Sequence, residues 1–200
     1  MPLQSRVTPS GELIVTPVRG LLMGNRGGRF HRDDRTLGTR RWASRQWICC
    51  RLEFKDRQRD VWGRYYTELF FLDEVTALAA GHRPCFECRR QDALVFAAVF
   101  PGERTAPEMD AVLHRERLDG KSKRLHRRPI DALPDGAMIA LRGDAFAVRG
   151  LQLLLWTPRG YAKASRRPRA MEVDVLTPPS ILAVLANGYR PLWHQSALRR

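Results

Sequence analysis

The sequence lacks an apolar run of the ~18 residues that a membrane span requires. Its longest candidate, from Leu151 to Trp156, is short and is interrupted by Gln152. The N-terminus also lacks the charged segment followed by an apolar segment that marks a secretory signal. We therefore expect a cytoplasmic protein, of a bacterial-type cytosol or nucleoid, without a membrane partner.

Acidic residues and lysine are both scarce. The 200-residue chain has 21 Asp and Glu against 35 Lys and Arg, for a net charge of +14, and only four of the basic residues are lysine. Arginine presents a planar fork that suits phosphates and guanine edges. A GC-rich genome would explain part of this excess, but the net charge still predicts a polyanionic partner, of which nucleic acid is the commonest. The hydrophobic share of 44% is that of a globular chain with a real core.

Cysteine is scarce as well, with one adjacent pair, Cys49-Cys50, and one spaced pair, Cys85-x-x-Cys88. A cytosolic chain of this length needs no disulfide, so the spaced pair is a metal or redox candidate. Two thiolates at that spacing at a helix start converge on one point and form half of a tetrahedral zinc site. A thioredoxin-like pair would follow a strand, whereas a turn containing Pro84 precedes this one. Zinc is favoured, while a redox pair and inert buried cysteines remain open.

Alternation of apolar residues predicts a half-buried strand over residues 47–54. The apolar residues of one face are Ile48, Cys50, Leu52 and Phe54. We interpret this face as the buried one, so Cys50 is expected to point inward and Cys49 to the opposite side. A polar turn over 55–58 and a returning strand over 59–62 would complete a hairpin.

The rest of the chain predicts short strands and helices joined by turns. Strands are predicted at residues 11–18, 65–72, 137–141, 145–149, 151–156 and 172–176. Helices are predicted at 73–80 with Asp73 as N-cap, and at 88–100, 107–118 and 178–186. Residues 24–41 and 159–169 are typical of basic loops. The fold class is therefore α+β: a small zinc-stapled N-terminal unit of strands and short helices, and a C-terminal antiparallel β meander with a closing helix.

Three segments are the expected organisation of this fold. They are a zinc-binding unit at 1–105, a helix with a basic connector at 106–134, and the meander with a final strand and helix at 135–200. The last segment contains a motif similar to one in the first segment. Gly188-Tyr-Arg-Pro191 matches Gly81-His-Arg-Pro84, and each follows a predicted strand and helix. We interpret it as a degenerate repeat of residues 68–90 without the cysteines, although Gly followed by Pro is also a general helix stop.

The region from Tyr66 to Arg90 contains a strand, a short Ala-rich helix, the motif Gly-x-Arg-Pro-Cys-x-x-Cys and a basic helix. This region, about 25 of the 200 residues, resembles the second half of the Ada-type metal-binding domain. Such domains bind DNA through a four-cysteine zinc site, and in the founding proteins one zinc-bound thiolate accepts a methyl group from a methylated backbone phosphate. The resemblance implies a DNA-associated zinc protein with Cys85 and Cys88 as ligands and Arg89 and Arg90 as phosphate contacts.

The chain departs from that family upstream, where the Cys-x-x-x-Cys that supplies the first two ligands is missing. Cys50 is the favoured third ligand, although a buried core cysteine is also common at such a position. His31, His82 and Cys49 are the candidates for the fourth, with His31 slightly favoured over His82. Because the second upstream cysteine is missing, methyl transfer is not carried over, and the zinc is expected to be mainly structural.

Three basic segments, of which the first and third lie beside Trp or Tyr, form the candidate nucleic-acid surface. They cover residues 26–41, 115–128 and 163–169. Basic residues with interleaved aromatics can follow a phosphate backbone and stack unpaired bases, although a solvated loop is the alternative for any one segment. The expected contacts are Arg89, Arg90, Arg26, Arg29, Arg40, Arg41, Lys121, Lys123, Arg124, Arg127, Arg166 and Arg167.

These features predict zinc-dependent nucleic-acid binding, with DNA favoured over RNA and a role in repair or regulation. The runner-up is a metal-assisted nuclease or DNA-repair enzyme, in which Asp110 and His114 share a helix face as metal ligands or a general base. No nuclease signature surrounds that pair, so catalysis is not favoured. A protein-interaction scaffold with incidental charge is the third class, and the oligomeric state is left open.

Overall fold

The computed structural model describes residues 2–55, 60–102 and 105–198. These residues form a mixed α+β fold with four helices, two six-stranded sheets and one two-stranded sheet, which confirms the predicted fold class. Within the described ranges, every helix is too short or too polar to cross a bilayer.

The first sheet is built by the N-terminal part of the chain. Its strands are β1 (Arg6–Val7), β2 (Leu13–Ile14), β3 (Leu22–Arg26), β4 (Trp47–Arg51), β5 (Leu69–Phe71) and β6 (Arg83–Pro84). They lie in the order β2-β1-β5-β3-β4-β6. Strand β3 pairs antiparallel with β4 and β5, while β4 pairs parallel with β6. Gly24 allows β3 and β4 to approach, because a Cβ there would lie 2.0 Å from the carbonyl oxygen of Ile48.

Strand β3 corrects the sequence-based reading of this region. Residues 24–26 belong to a strand, whereas their glycine and arginine content predicted a loop. The predicted strand at 47–54 is confirmed as β4, but its antiparallel partner is β3 rather than a strand at 59–62. Residues 60–62 are not in a strand, and positions 56–59 of the predicted hairpin lie outside the described residues. Pairing on both sides of β3 overrides the weak strand preference of glycine.

The four helices are α1 (Glu74–Ala79), α2 (Arg90–Ala98), α3 (Ala106–Arg117) and α4 (Pro179–Ala186). All four were expected, and the bounds differ by a few residues at the ends. The predicted N-cap of α1 is confirmed, because the Asp73 carboxylate accepts the backbone N–H of Thr76 at 2.9 Å. The segment ends at Gly81, whose φ of +90° lies in the left-handed region that glycine tolerates.

The C-terminal half builds the remaining sheets. Its strands are β7 (Leu118–Asp119), β8 (Ser122–Lys123), β9 (His126–Pro129), β10 (Met138–Leu141), β11 (Asp144–Arg149), β12 (Gln152–Thr157), β13 (Gly160–Arg166) and β14 (Glu172–Val175). The six-stranded sheet has the order β13-β12-β11-β10-β14-β9, so the predicted antiparallel meander is confirmed. The basic loop predicted at 159–169 is instead mostly β13, because its residues pair along β12.

A shared core joins the two halves of the chain. One apolar cluster contains Leu78 of α1, Phe96 of α2, Met109 of α3 and Ile181 of α4. Buried hydrogen bonds reinforce it at the start of α1, where the Tyr189 hydroxyl donates to Glu74 at 2.6 Å and the Tyr161 hydroxyl donates to Asp73 at 2.9 Å. The predicted segments therefore pack against one another, and their status as domains or as a repeat stays a prediction.

Candidate functional site

Three of the four cysteines meet at the edge of the first sheet. The parallel register of β4 and β6 pairs Cys49 with Pro84, which sets the next residues, Cys50 and Cys85, side by side. The turn that follows brings Cys88 to the same point before α2 begins. The three sulfur atoms lie within 4.8 Å of one another, and all three residues are buried. The spacing between strands and the turn together create a group that could hold a metal ion.

The surroundings of the sulfur atoms favour a thiolate at Cys85. The backbone N–H of Arg51 donates to Cys88 Sγ and that of Glu87 donates to Cys85 Sγ, each at 3.4 Å. Hydrogen bonds from the Cys50 and Cys88 thiols, and from the backbone N–H groups of Cys88 and Glu87, lower the pKa of Cys85. The contact with Cys85 raises the pKa of Cys50. At Cys88, the hydrogen bond with Cys50 lowers the pKa, but the contact with Cys85 and burial outweigh it and raise the pKa. Such outer hydrogen bonds orient and stabilise metal-binding thiolates.

A cleft of about 610 Å³ opens over the three cysteines. Its walls include Arg64, Tyr65 and Tyr66, which precede β5, and the two tyrosines are 71% and 49% exposed. The Arg64 guanidinium lies 5.8 Å from the ring centroid of Tyr65. These three residues are not among the site residues predicted from the sequence, because their aromatic content predicts a strand. The signal available was a pair of aromatics directly after Gly63 and an arginine.

Cys50 is buried with Cys85 and Cys88, as predicted, but this buried group lies beneath the cleft and Cys49 lies in the main core of the sheet. Alternation along β4 is confirmed, since Cys49 and Cys50 lie on opposite faces, but Cys50 faces the cleft and Cys49 faces the core. Cys49 packs with Leu69 and Phe71 and is fully buried. The apolar residues on the face of Cys50 predicted burial there, whereas Leu52 is 43% exposed in the structure. Cys49 is therefore a core residue and not a candidate metal ligand.

The two candidate histidine ligands lie elsewhere. The Nδ1 atom of His31 is 2.8 Å from the Thr67 hydroxyl, and the ring stacks on Trp62. His82 is fully buried on the opposite face of the sheet, where its Nε2 accepts a hydrogen bond from Arg26 Nε at 3.4 Å. Burial and then the charge of Arg26 hold the pKa of His82 well below its usual value. Among the described residues, the possible metal group contains the three cysteines and neither histidine.

Arg89 is a structural residue rather than a surface contact. It is 5% exposed and donates to Glu74 at 2.8 Å and to Asp92 at 2.9 Å. Its third neighbour is Cys49 Sγ, which accepts from Nη1 at 3.6 Å. The expectation of a phosphate contact at Arg89 is therefore wrong, because α2 begins with this side chain turned into the core. Arg90 is exposed, as a surface contact requires.

The weak catalytic candidates are also occupied. Both carboxylate oxygens of Asp110 accept from Arg83, at 2.9 and 2.8 Å, and the pair is buried. The Nδ1 atom of His114 lies 3.1 Å from Arg117 Nη2, and its ring packs edge-on against Trp42. Asp110 and His114 thus serve separate contacts, and they do not form a metal group in the described part of the chain.

The remaining basic candidates divide into buried and exposed residues. Arg26 is 1% exposed within β3, and Arg167 donates to the carbonyl oxygens of Ile130 and Leu133, so neither is a free surface contact. Lys123 is partly buried and donates to the carbonyl oxygen of Ala79. At the surface or partly exposed lie Arg29, Arg40, Arg41, Lys121, Arg124, Arg127 and Arg166.

No protein-family model, no curated protein and no solved structure matches the chain. The fold and the site therefore define the class by geometry alone: an α+β protein with a buried three-thiol group below a cleft lined by two tyrosines, one arginine and the acids Asp60, Glu68 and Glu87. The likeness of residues 66–90 to the Ada-type domain stays a resemblance.

Proposed function

We propose that this is a zinc-containing nucleic-acid-binding protein, associated with DNA in repair or regulation. Cys50, Cys85 and Cys88 would hold the zinc, and the cleft above them would belong to the binding surface. The observation that carries the proposal is the position of the three-thiol group beneath a cleft with exposed aromatic and arginine side chains.

Zinc fits the donor set better than calcium or magnesium does. Thiolates are soft ligands, and sites made of three or four cysteines at C-x-x-C spacing are typical of zinc. Calcium and magnesium require oxygen ligands instead. The N–H···S hydrogen bonds to Cys85 and Cys88 supply the outer support that such sites have. The zinc would lock β4, β6 and the turn before α2 together, which is a mainly structural role.

The exposed aromatic side chains of the cleft and the net charge of the chain support nucleic acid as the partner, while the acids Asp60, Glu68 and Glu87 also line the cleft. Tyr65 and Tyr66 offer exposed aromatic faces on which unpaired bases can stack, and Arg64 beside Tyr65 adds a cation for the backbone. Asn25 and Gln46 also line the cleft and supply amide groups that can pair with base edges. With a net charge of +14, electrostatic attraction would bring the polyanion to this surface.

The metal is tested by elemental analysis of the purified protein, with about one zinc per chain expected. The Cys85→Ser variant should lose that zinc, because serine does not replace a thiolate ligand. Cys49→Ser is the matched control and should keep it, since Cys49 faces the core. Protein that neither contains zinc nor takes it up, or equal zinc in both variants, would contradict the proposal.

Nucleic-acid binding is tested by titrating labelled single-stranded and duplex DNA into the zinc-loaded protein. Replacing Tyr65 and Tyr66 together by alanine should weaken single-stranded binding by about 1–3 kcal/mol per stacked base. Leu151→Ala is the control. Leu151 is 73% exposed, close to the 71% of Tyr65, but it lies in the C-terminal sheet region, far along the chain. Absence of binding at low salt would favour the interaction-scaffold alternative.

A metal-assisted DNA-repair or nuclease activity is the second candidate. One observation favours it: the described residues offer three ligands, and the group faces a cleft. Catalytic zinc sites commonly have three protein ligands and one position for water or substrate. Zinc there would supply a Lewis acid, and Arg64 would bind backbone phosphate. DNA cleavage by the zinc-loaded protein that disappears in Cys85→Ser would support this activity, and the absence of cleavage would contradict it.

A further inference from the structure

A second pocket lies on the opposite face of the first sheet. Arg26 of β3 pairs with Trp47 of β4, and both side chains point away from the face that carries Cys50. The pocket has a volume of about 420 Å³, and its walls include Trp42, Trp47 and three cations, Arg26, Arg117 and Lys123. These cations come from β3, the end of α3 and β8, so the tertiary fold collects them from distant parts of the sequence.

Two of these cations, Arg26 and Arg117, lie against the same aromatic ring. The guanidinium groups of Arg26 and Arg117 each lie 3.9 Å from the Trp47 ring centroid. Both arginines are buried, at 1% and 0% exposure. Gly81 makes room for Arg117, because a Cβ there would lie 2.6 Å from Arg117 Cδ. The packing of these side chains therefore holds the two charges close to the same ring.

Acidic partners are missing from this cluster. Among the described residues, the ion pairs involve neither Arg26, Arg117 nor Lys123. Glu12, the acid that lines the pocket, is exposed. Asp110 attracts Arg117 electrostatically, but both of its oxygens are bound to Arg83. A buried charge without an opposite charge is costly, so such a cluster is a site for an anion that comes from outside.

The hydrogen bonds of the cations leave donors available. Arg26 donates to the carbonyl oxygens of Gly11 and Arg41 and, through Nε, to His82, so each of its nitrogens has a partner. Arg117 donates to the carbonyl oxygens of Gly81 and Arg45, and its Nη2 also lies 3.1 Å from His114 Nδ1. The Nε–H of Arg117 is buried and has no partner. Lys123 donates to one carbonyl oxygen, whereas an ammonium group has three N–H donors. Backbone carbonyls thus hold the side chains in place, and unpaired N–H groups remain for a ligand.

The ionisation of the cluster agrees with this interpretation. Burial, followed by the charge of Arg41, lowers the pKa of Arg26 to about 9. Burial, followed by the charges of Arg117 and Arg26, lowers the pKa of Lys123 to about 7. The surroundings therefore disfavour the charged form of each side chain. A bound dianion would favour the charged form instead.

We propose that the pocket formed by Arg26, Arg117 and Lys123 beside Trp47 binds a phosphate group carried by a small molecule or by the end of a nucleic-acid strand. Arginine forks and a lysine ammonium are the donors that recognise a phosphate dianion. The volume of about 420 Å³ exceeds what the anion alone needs, and Trp42 and Trp47 offer surface for the organic part of the ligand. This proposal does not depend on zinc or on the cleft.

The experiment measures thermal unfolding of the whole purified protein with sodium phosphate or with sodium chloride at equal ionic strength. Phosphate should raise the unfolding temperature beyond the chloride value. Lys123→Met should weaken phosphate binding, measured by calorimetry, by about tenfold or more, because it removes one charged hydrogen bond. Lys163→Met is the control, since Lys163 is an exposed residue of β13.

The stability of Lys123→Met without phosphate separates a ligand site from a structural role. Removing a cation from a group of like charges should leave the unfolding temperature unchanged or raise it, whereas the loss of a structural residue would lower it. A nucleoside monophosphate and a 5′-phosphorylated oligonucleotide, each compared with its unphosphorylated form, identify the source of the group. Equal unfolding temperatures in phosphate and chloride, with no heat of binding for any phosphorylated ligand, would overturn the proposal.

Discussion

The two faces of the N-terminal sheet carry opposite chemistry on the same strands. On one face, Cys50 of β4 joins Cys85 and Cys88 beneath the cleft. On the other, Trp47 of β4 lies between the guanidinium groups of Arg26 and Arg117. The first face collects thiols that could hold a metal cation, and the second collects cations for which we propose an anion. Because side chains alternate along a strand, one short segment can serve two sites of opposite charge.

The largest expected effect on the difference between the two faces comes from removing the zinc that we propose on the cysteine face. Chelation of zinc should lower the free energy of unfolding by about 4 kcal/mol when the free metal is present at ~1,000 times its Kd. The loss should disappear in Cys85→Ser, which is already without zinc. Denaturant unfolding with and without chelator measures both proteins. An equal change in the two would show that the chelator acts elsewhere.

The core behind the sheet is tested by Arg89→Ala. This change leaves the carboxylate of Glu74 buried without its cation, so the free energy of unfolding should fall by about 3 kcal/mol. Arg90→Ala is the matched control on the next, exposed residue and should change stability by less than about 0.5 kcal/mol. Denaturant titration measures both. Comparable losses in the two variants would contradict the burial of Arg89.

The two neighbouring cysteines sharpen the comparison between faces. In the metal-free protein, Cys49→Ser should cost about 1–3 kcal/mol, because it places a hydroxyl group in an apolar core. Cys50→Ser should cost less under the same conditions, because Cys50 borders the cleft. Thermal unfolding of the two metal-free variants gives the order. The opposite order of stability losses would indicate that Cys50, and not Cys49, faces the core, as the sequence alone predicts.

The smallest expected effect concerns the exposed charges. If about five phosphates are neutralised, the logarithm of duplex affinity should fall with the logarithm of salt concentration with a slope of about −4 to −5. Arg90→Ala should reduce the slope by about one unit, while Arg89→Ala should leave it unchanged in protein that is still folded. Affinities between ~50 and ~200 mM salt provide the measurement. A flat dependence would contradict electrostatic binding.

Local sequence patterns alone determined several secondary-structure elements of this protein. The alternation at residues 47–51, the N-cap at Asp73, the meander from Met138 to Thr157 and the closing helix α4 all follow from periodicity and turn residues. The C-x-x-C spacing likewise pointed to Cys85 and Cys88, because two ligands close in sequence converge through the local backbone.

Only the tertiary structure decided which face of each element is buried and which distant residues meet. Arg26 and Arg89 resemble surface contacts in the sequence, yet pairing of β3 and docking of α2 bury both. Cys50 joins the cysteine pair because β4 and β6 lie in parallel register. Periodicity fixes the relative orientation of neighbouring side chains, but the side that faces the core depends on long-range packing, which a local pattern does not contain.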